Sequence, residues 1–116
     1  MPVEVTFWGV RGSIPCCSAE HTIYGGNTSC VEVNLDGRTV VFDAGSGIRS
    51  LGMDLARRGV SDETLLVSHT HWDHICGFPF FYPAFQKTSN LNIYAARLPD
   101  GQTAEQVFGV LMSEPF

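Results

Sequence analysis

Strand-like alternation and helix-like spacing take turns along this chain. Residues 3–9, VEVTFWG, place Val3, Val5 and Phe7 at every second position, the period of a half-buried strand. The stretch VRGSIPCCSAEHTIYGGNTSC that follows has no such period and reads as a long loop. CVEVNL (30–35) and TVVFDAG (39–45) are two β-branched runs flanking Asp36-Gly37-Arg38, and the Asp-Gly pair marks a hairpin. In GIRSLGMDLARRG, Ile48, Leu51 and Leu55 recur at helical spacing, and Gly59 is placed to end that helix. ETLLVSH (63–69) is a short apolar strand. The next helical stretch, HICGFPFFYPAF, opens at Asp73 or a neighbour and is interrupted by Pro79 and Pro83. LNIYAA (91–96) reads as a further strand, and GQTAEQVFGVLM (101–112) as a short helix capped by Thr103. The order β, β-hairpin, α, β, α, β, α predicts a mixed α/β fold, a sheet covered by helices. No linker interrupts residues 1–116, so a single domain is expected.

Composition narrows this only a little. The 116 residues are 44% hydrophobic and 16% charged, ordinary for a soluble globular domain with a core of its own. No apolar run approaches a bilayer span, and MPVEVTFWGV carries Glu4 and no basic region, so it does not read as a secretory signal. The net charge of −5, with scattered basic residues, argues against an extended nucleic-acid surface. A small phosphate substrate held through metal is still compatible with it. Cys16, Cys17, Cys30 and Cys76 form no CxxC pair, so reduced thiols and a cytoplasmic setting are expected.

The chemistry concentrates in SHTHWDH, residues 68–74. On an extended segment, residues two apart project to one side, so His69 and His71 converge if the strand geometry persists. Imidazole pairs suit zinc or another borderline divalent metal. Asp73 and His74 are adjacent and point elsewhere as the chain turns into the helix. That geometry favours two neighbouring metal positions, and metals about 3.5–4 Å apart can hold a bridging hydroxide and clamp a phosphate. For a lone His-x-His a surface polar cluster would be the better reading. Four such donors at the mouth of a buried strand favour metal ligation.

His69-x-His71-x-Asp73-His74, with VVFDAGSGI upstream, resembles the metallo-β-lactamase superfamily. FWGVRGSIP and YGGNTSCVEV resemble the opening of its phosphodiesterase-like branch, which includes ribonuclease Z and the cyclic phosphodiesterase of phosphonate breakdown. The resemblance implies the N-terminal half of an αβ/βα sandwich, a mixed sheet with covering helices. It implies that His69 and His71 ligate one metal and that Asp73 and His74 ligate the other, with Asp73 also orienting the attacking hydroxide. Asp43 would buttress the site without binding metal; a helix-cap or turn role is its plainer alternative. In the intact protein the metals would be two zinc ions, with manganese or iron as alternatives. The substrate would be a phosphodiester small molecule or nucleotide, attacked at phosphorus by metal-activated hydroxide.

Asn27, Ser29 and Ser13 lie in loops that this branch turns towards its active-site face, which makes them candidate substrate contacts. Turn formation and strand initiation explain them equally well. Gly45 and Gly47 lack the lysine of a phosphate-binding loop and read as a tight strand-to-helix turn. His21 reads as a solvated loop histidine, Cys76 as a helix-core thiol, and Trp8 and Trp72 as packing residues, Trp72 near a pocket rim. The superfamily supplies a third histidine, a bridging aspartate and a last histidine downstream, and after His74 this sequence contains no histidine. The expectation is therefore an incomplete domain that forms a homo-oligomer or is completed by a complementing C-terminal half. The rival readings are an inactive half-domain binding metal weakly or a partner chain, and a thioester or lactam hydrolase of the same superfamily.

Overall fold

In the computed structural model, which describes residues 2–113, five strands form one sheet in the order of the sequence. β1 (Val3–Gly9), β2 (Cys30–Leu35) and β3 (Arg38–Phe42) pair antiparallel, while β4 (Asp62–Val67) and β5 (Asn90–Ala95) continue the sheet parallel to β3. α1 (Ile48–Arg57) carries the crossover from β3 to β4. The crossover from β4 to β5 holds the short α2 (Trp72–Ile75) and two 3-10 turns, Phe78–Phe80 and Tyr82–Phe85. α3 (Ala104–Leu111) follows β5. This is the mixed α/β arrangement that the periodicity predicts.

Local chemistry explains most boundaries. Asp36 and Gly37 both have positive φ, 50° and 89°, as a two-residue hairpin turn between twisted strands requires. Gly59, at φ 72°, closes the turn after α1. Thr103 caps α3 in a reciprocal capping box with Gln106. One expectation needs correction. β3 stops at Phe42 rather than running to 45, because Asp43 turns to φ 68° and leaves the extended region. The interruption expected at Pro79 and Pro83 divides the helical stretch over 73–85 into three short pieces: each proline lacks the N–H needed to continue a helix and sits in the first turn of a new 3-10 segment.

The helices cover one sheet face. Cys30, Val41, Leu65 and Val67 point into a core shared with Ile48, Leu51, Leu55, Phe78, Phe81 and Phe108. Burial of each such aliphatic or aromatic side chain contributes about 1.5–3 kcal/mol. Glu32 is buried on this face too. Trp8 Nε1 donates to its Oε1 at 3.1 Å and Arg58 to its Oε2 at 2.7 Å, and Arg58 also reaches Asp54 at 2.9 Å. The C-terminal end of α1 is thereby tied to the sheet by a paired charge rather than a bare one.

The opposite face is apolar and open. Register puts Phe7, Val31, Phe42, Leu66 and Tyr94 in one row across all five strands, with Val5, Val33 and Val40 in the next. Phe7 is 68% exposed and Tyr94 61%. Among the described residues no helix packs there. An exposed apolar row that crosses the whole sheet is an unmet burial demand, as expected for half of a two-sheet sandwich.

Candidate metal centre

In a parallel pair, the carboxyl ends of neighbouring strands bring the loops that follow them together, and sites form there. β3 and β4 are such a pair. Asp43 follows β3 and Ser68 follows β4, and Asp43 N–H donates to Leu66 O at 2.9 Å to hold the two ends side by side. The ladder ends at Val67, so the strand geometry invoked for His69 and His71 does not persist through the motif. His71 instead takes the residue before α2, at φ −59° and ψ 147°, and Asp73 and His74 fall in the first turn of that helix.

The donors still converge. The His69 and His71 rings lie 4.7 Å apart, centre to centre, and His69 and His74 lie 4.0 Å apart. His74 Nε2 stands 3.4 Å from Asp73 Oδ2. His74, expected to point away from the first pair, is thus nearer to His69 than His71 is. Three imidazoles beside one carboxylate fit the donor preferences of zinc and similar borderline cations. Among the described residues, however, no group of three His, Cys, Asp or Glu side chains closes on a single point. The donors are gathered without forming a finished cage.

Asp43 organises them from below. The residue is 6% exposed, and its Oδ1 accepts from Ser68 N–H at 2.7 Å. Its Oδ2 accepts from Ser68 Oγ at 2.7 Å and pairs with His74 Nδ1 at 2.9 Å. Of its alternative roles, capping α1 is not taken, because Gly47 occupies the cap position, while the positive φ of Asp43 does place it in the turn after β3. A buried carboxylate on the far nitrogen of an imidazole orients that ring and leaves its other nitrogen for a cation. Ser68 Oγ also lies 3.0 Å from His69 Nδ1. No role for Ser68 emerges from the sequence, and its place directly before the first histidine is the one signal that could have marked it.

The long loop after β1 closes the other side. Ser13 N–H donates to Asp73 Oδ2 at 3.1 Å, from a backbone held at φ 74°. A non-glycine residue in that region is a local strain that its surroundings must maintain. The Ser13 N–H holds the Asp73 carboxyl below the usual carboxylate range, and the nearby His74 and His69 add to that pull. Ser13 therefore meets a proposed metal ligand through its backbone.

Asn27 and Ser29 belong to a local latch. Ser46 Oγ donates to Asn27 Oδ1 at 3.1 Å and accepts from Thr28 N–H at 2.9 Å, while Ser46 N–H donates to Thr28 Oγ1 at 2.7 Å. Gly45 N–H donates to Ser29 O at 2.9 Å. The strap 27–29 is latched onto the turn 45–47, in line with the turn-forming explanation. Glycine at 45 is required by proximity: a Cβ there would stand 2.5 Å from both Asp73 O and Thr28 Oγ1. His21 pairs with Ser18 Oγ at 2.6 Å, and Cys76 ends α2 with its Sγ 3.5 Å from Thr28 Oγ1. Trp72 and Phe80 are both exposed and line an apolar hollow of about 600 Å³ against Val107, Val110 and Leu111.

A family profile described as the metallo-beta-lactamase superfamily matches residues 23–102. Ribonuclease Z of Haloarcula marismortui is 31% identical over 101 residues, which cover 87% of this chain and 30% of that protein. Ribonuclease Z of Methanosarcina acetivorans is 32% identical over 77 residues, 66% of this chain and 23% of that protein. A solved structure of a new diphosphatase from the PhnP family aligns over 94% of this chain and 47% of its own, with a TM-score of 0.59 at 20% identity, which shows a shared fold. The chain thus spans less than a third of the length of these two curated relatives.

Proposed function

The chain belongs to the metallo-β-lactamase superfamily, and from that premise we propose that the intact protein is a metal-dependent phosphodiesterase. The observation that carries the reading is the gathering of His69, His71, Asp73 and His74 at the carboxyl ends of β3 and β4, with Asp43 behind His74. These four residues would hold divalent metal, zinc first, with manganese or iron as alternatives. When bound, such ions supply Lewis acidity to a phosphoryl oxygen and lower the pKa of water to near neutrality.

The chain's own residues prepare for that chemistry. Asp43 holds the proton of His74 on Nδ1, so Nε2 is presented to the centre. Asp73 accepts Ser13 N–H on Oδ2, which keeps the carboxylate ionised and fixes its plane. In that state it can bind a cation and orient an attacking water. Relatives named ribonuclease Z favour a phosphodiester over a thioester or lactam. Two metals need more protein ligands than these four. We assign the remainder to further chain, or to a second copy, that covers the open apolar face. Four unpaired cysteines favour a reducing, cytoplasmic setting, and no helix among the described residues is long and apolar enough to cross a membrane.

The test is turnover by the full-length, metal-loaded protein on bis-p-nitrophenyl phosphate, cyclic nucleotides, a thioester and a lactam. Phosphodiester turnover abolished by chelator and by His69→Ala is the expected result. A folded, metal-loaded protein that cleaves only the thioester or the lactam overturns it. The unclosed donor group favours a second reading, an inactive metal-binding module, which the same phosphodiester turnover would eliminate.

A further inference from the structure

We propose that the Ser68 hydroxyl is a positioning group that relays Asp43 to His69, so that one carboxylate sets the tautomer of two metal-ligand imidazoles at once. The inference rests on the metal-centre reading above and assigns a role to a residue outside the ligand set.

The argument is a count of hydrogens. A serine hydroxyl has one hydrogen to give and lone pairs to accept with. Ser68 Oγ gives its hydrogen to Asp43 Oδ2 at 2.7 Å, a charge-assisted distance. Ser68 N–H also binds the same carboxylate at Oδ1, so the residue cannot swing away without breaking two contacts. With its hydrogen committed, Oγ offers only a lone pair to His69 Nδ1 at 3.0 Å. Nδ1 must then bring the hydrogen, and the neutral ring keeps Nε2 bare. The reverse assignment would leave two lone pairs facing each other across 2.7 Å at the carboxylate. Asp43 Oδ2 imposes the same state directly on His74 through Nδ1 at 2.9 Å. Both imidazoles therefore present Nε2, one set by the carboxylate itself and the other through a single hydroxyl.

Removing the hydroxyl frees His69 to take the Nε2–H tautomer, which imidazole side chains favour in water. That places a hydrogen on the nitrogen a cation needs. Partners behind a metal ligand typically change affinity 10–100-fold, and Ser68→Ala should fall in that range. Ser68→Thr keeps the hydroxyl and should restore binding.

The experiment uses full-length, metal-free protein labelled with 15N-histidine, at alkaline pH where imidazole is neutral. Two-bond proton–nitrogen correlations read each tautomer, and His69→Gln identifies the His69 signals. Wild type and Ser68→Thr should show His69 as Nδ1–H. Ser68→Ala should move it towards Nε2–H while His74 stays Nδ1–H, which reports that the surrounding fold is intact. Zinc affinity, measured by chelator competition, should fall about 10–100-fold in Ser68→Ala alone. His69 found as Nε2–H in the wild type overturns the relay, and this needs no variant to fold. An unchanged tautomer in folded Ser68→Ala overturns it equally. Wild-type protein that binds no zinc would instead defeat the metal-centre reading, because the tautomer is measured without metal.

Discussion

One methyl group at Gly45 tests whether the turn after β3 is clamped to the metal motif. A Cβ there would lie 2.5 Å from Asp73 O, 2.5 Å from Thr28 Oγ1 and 2.6 Å from Thr28 C. Comfortable contacts between such atoms are near 3.5 Å, so each segment must retreat by about 1 Å. Two of the three atoms are backbone, from segments far apart in sequence, so no rotamer change relieves the overlap. Gly45 is not in the left-handed region, and alanine gains about 0.4–1 kcal/mol there by restricting the unfolded chain. Overpacking costs about 1–3 kcal/mol. Gly45→Ala should therefore lose about 1–2 kcal/mol net and weaken zinc binding, because Asp73 moves with its carbonyl. Gly109→Ala is the matched control. It lies in α3, its added Cβ meets nothing within 4 Å, and it should gain about 0.5–1 kcal/mol. Urea midpoints at constant m-value, with and without zinc, measure both variants. A Gly45→Ala protein as stable as wild type with unchanged zinc affinity would show that the turn is not held against Asp73 and Thr28.

Two further changes probe buried carboxylates. Asp43→Asn tolerates the φ of 68° but turns an amide donor towards Ser68 or His74, both of which donate to Asp43. Zinc affinity by chelator competition should fall about 10–100-fold, and an unchanged value would remove Asp43 from the site. Glu63 is 1% exposed, with Ser89 Oγ at 2.9 Å from Oε2 and, among the described residues, no partner on Oε1. Burial pushes its carboxyl up, the Ser89 hydroxyl pulls it partly back, and Asp62 raises it further. The folded state thus holds this proton more tightly than the unfolded state. Stability from the protonated form is full below the ordinary glutamate value and is lost as pH rises through the folded value. Glu63→Gln should gain on wild type in urea unfolding as pH rises from the ordinary glutamate value of about 4.3, whereas a difference that stays constant with pH would refute the assignment.

Much of this molecule is legible locally. Period-two apolar positions located β1, and a β-branched run beside an Asp-Gly turn located β2, both at their observed limits. Asp36-Gly37 marked its hairpin because few residues accept two positive φ values in succession. The density of donors in residues 68–74 marked the candidate site before any geometry was known, because no packing role calls for them. The breaks at Pro79 and Pro83 were legible too, because proline carries its own constraint; local pattern failed at the end of β3, where Asp43 turned the chain early.

Tertiary structure alone decided the rest. Ser13 reaches Asp73 across 60 positions, and Ser68 becomes a relay because β3 and β4 end side by side. Gly45 is glycine for the sake of atoms in two other segments, not for its own φ. His74 sits closer to His69 than His71 does because the ladder stops at Val67 and the chain turns back into α2. The apolar row from Phe7 to Tyr94 exists only once five strands are in register. Periodicity records how each segment divides its own residues between core and water. Contacts between segments depend on where the backbone brings distant atoms together, which no short window of sequence contains.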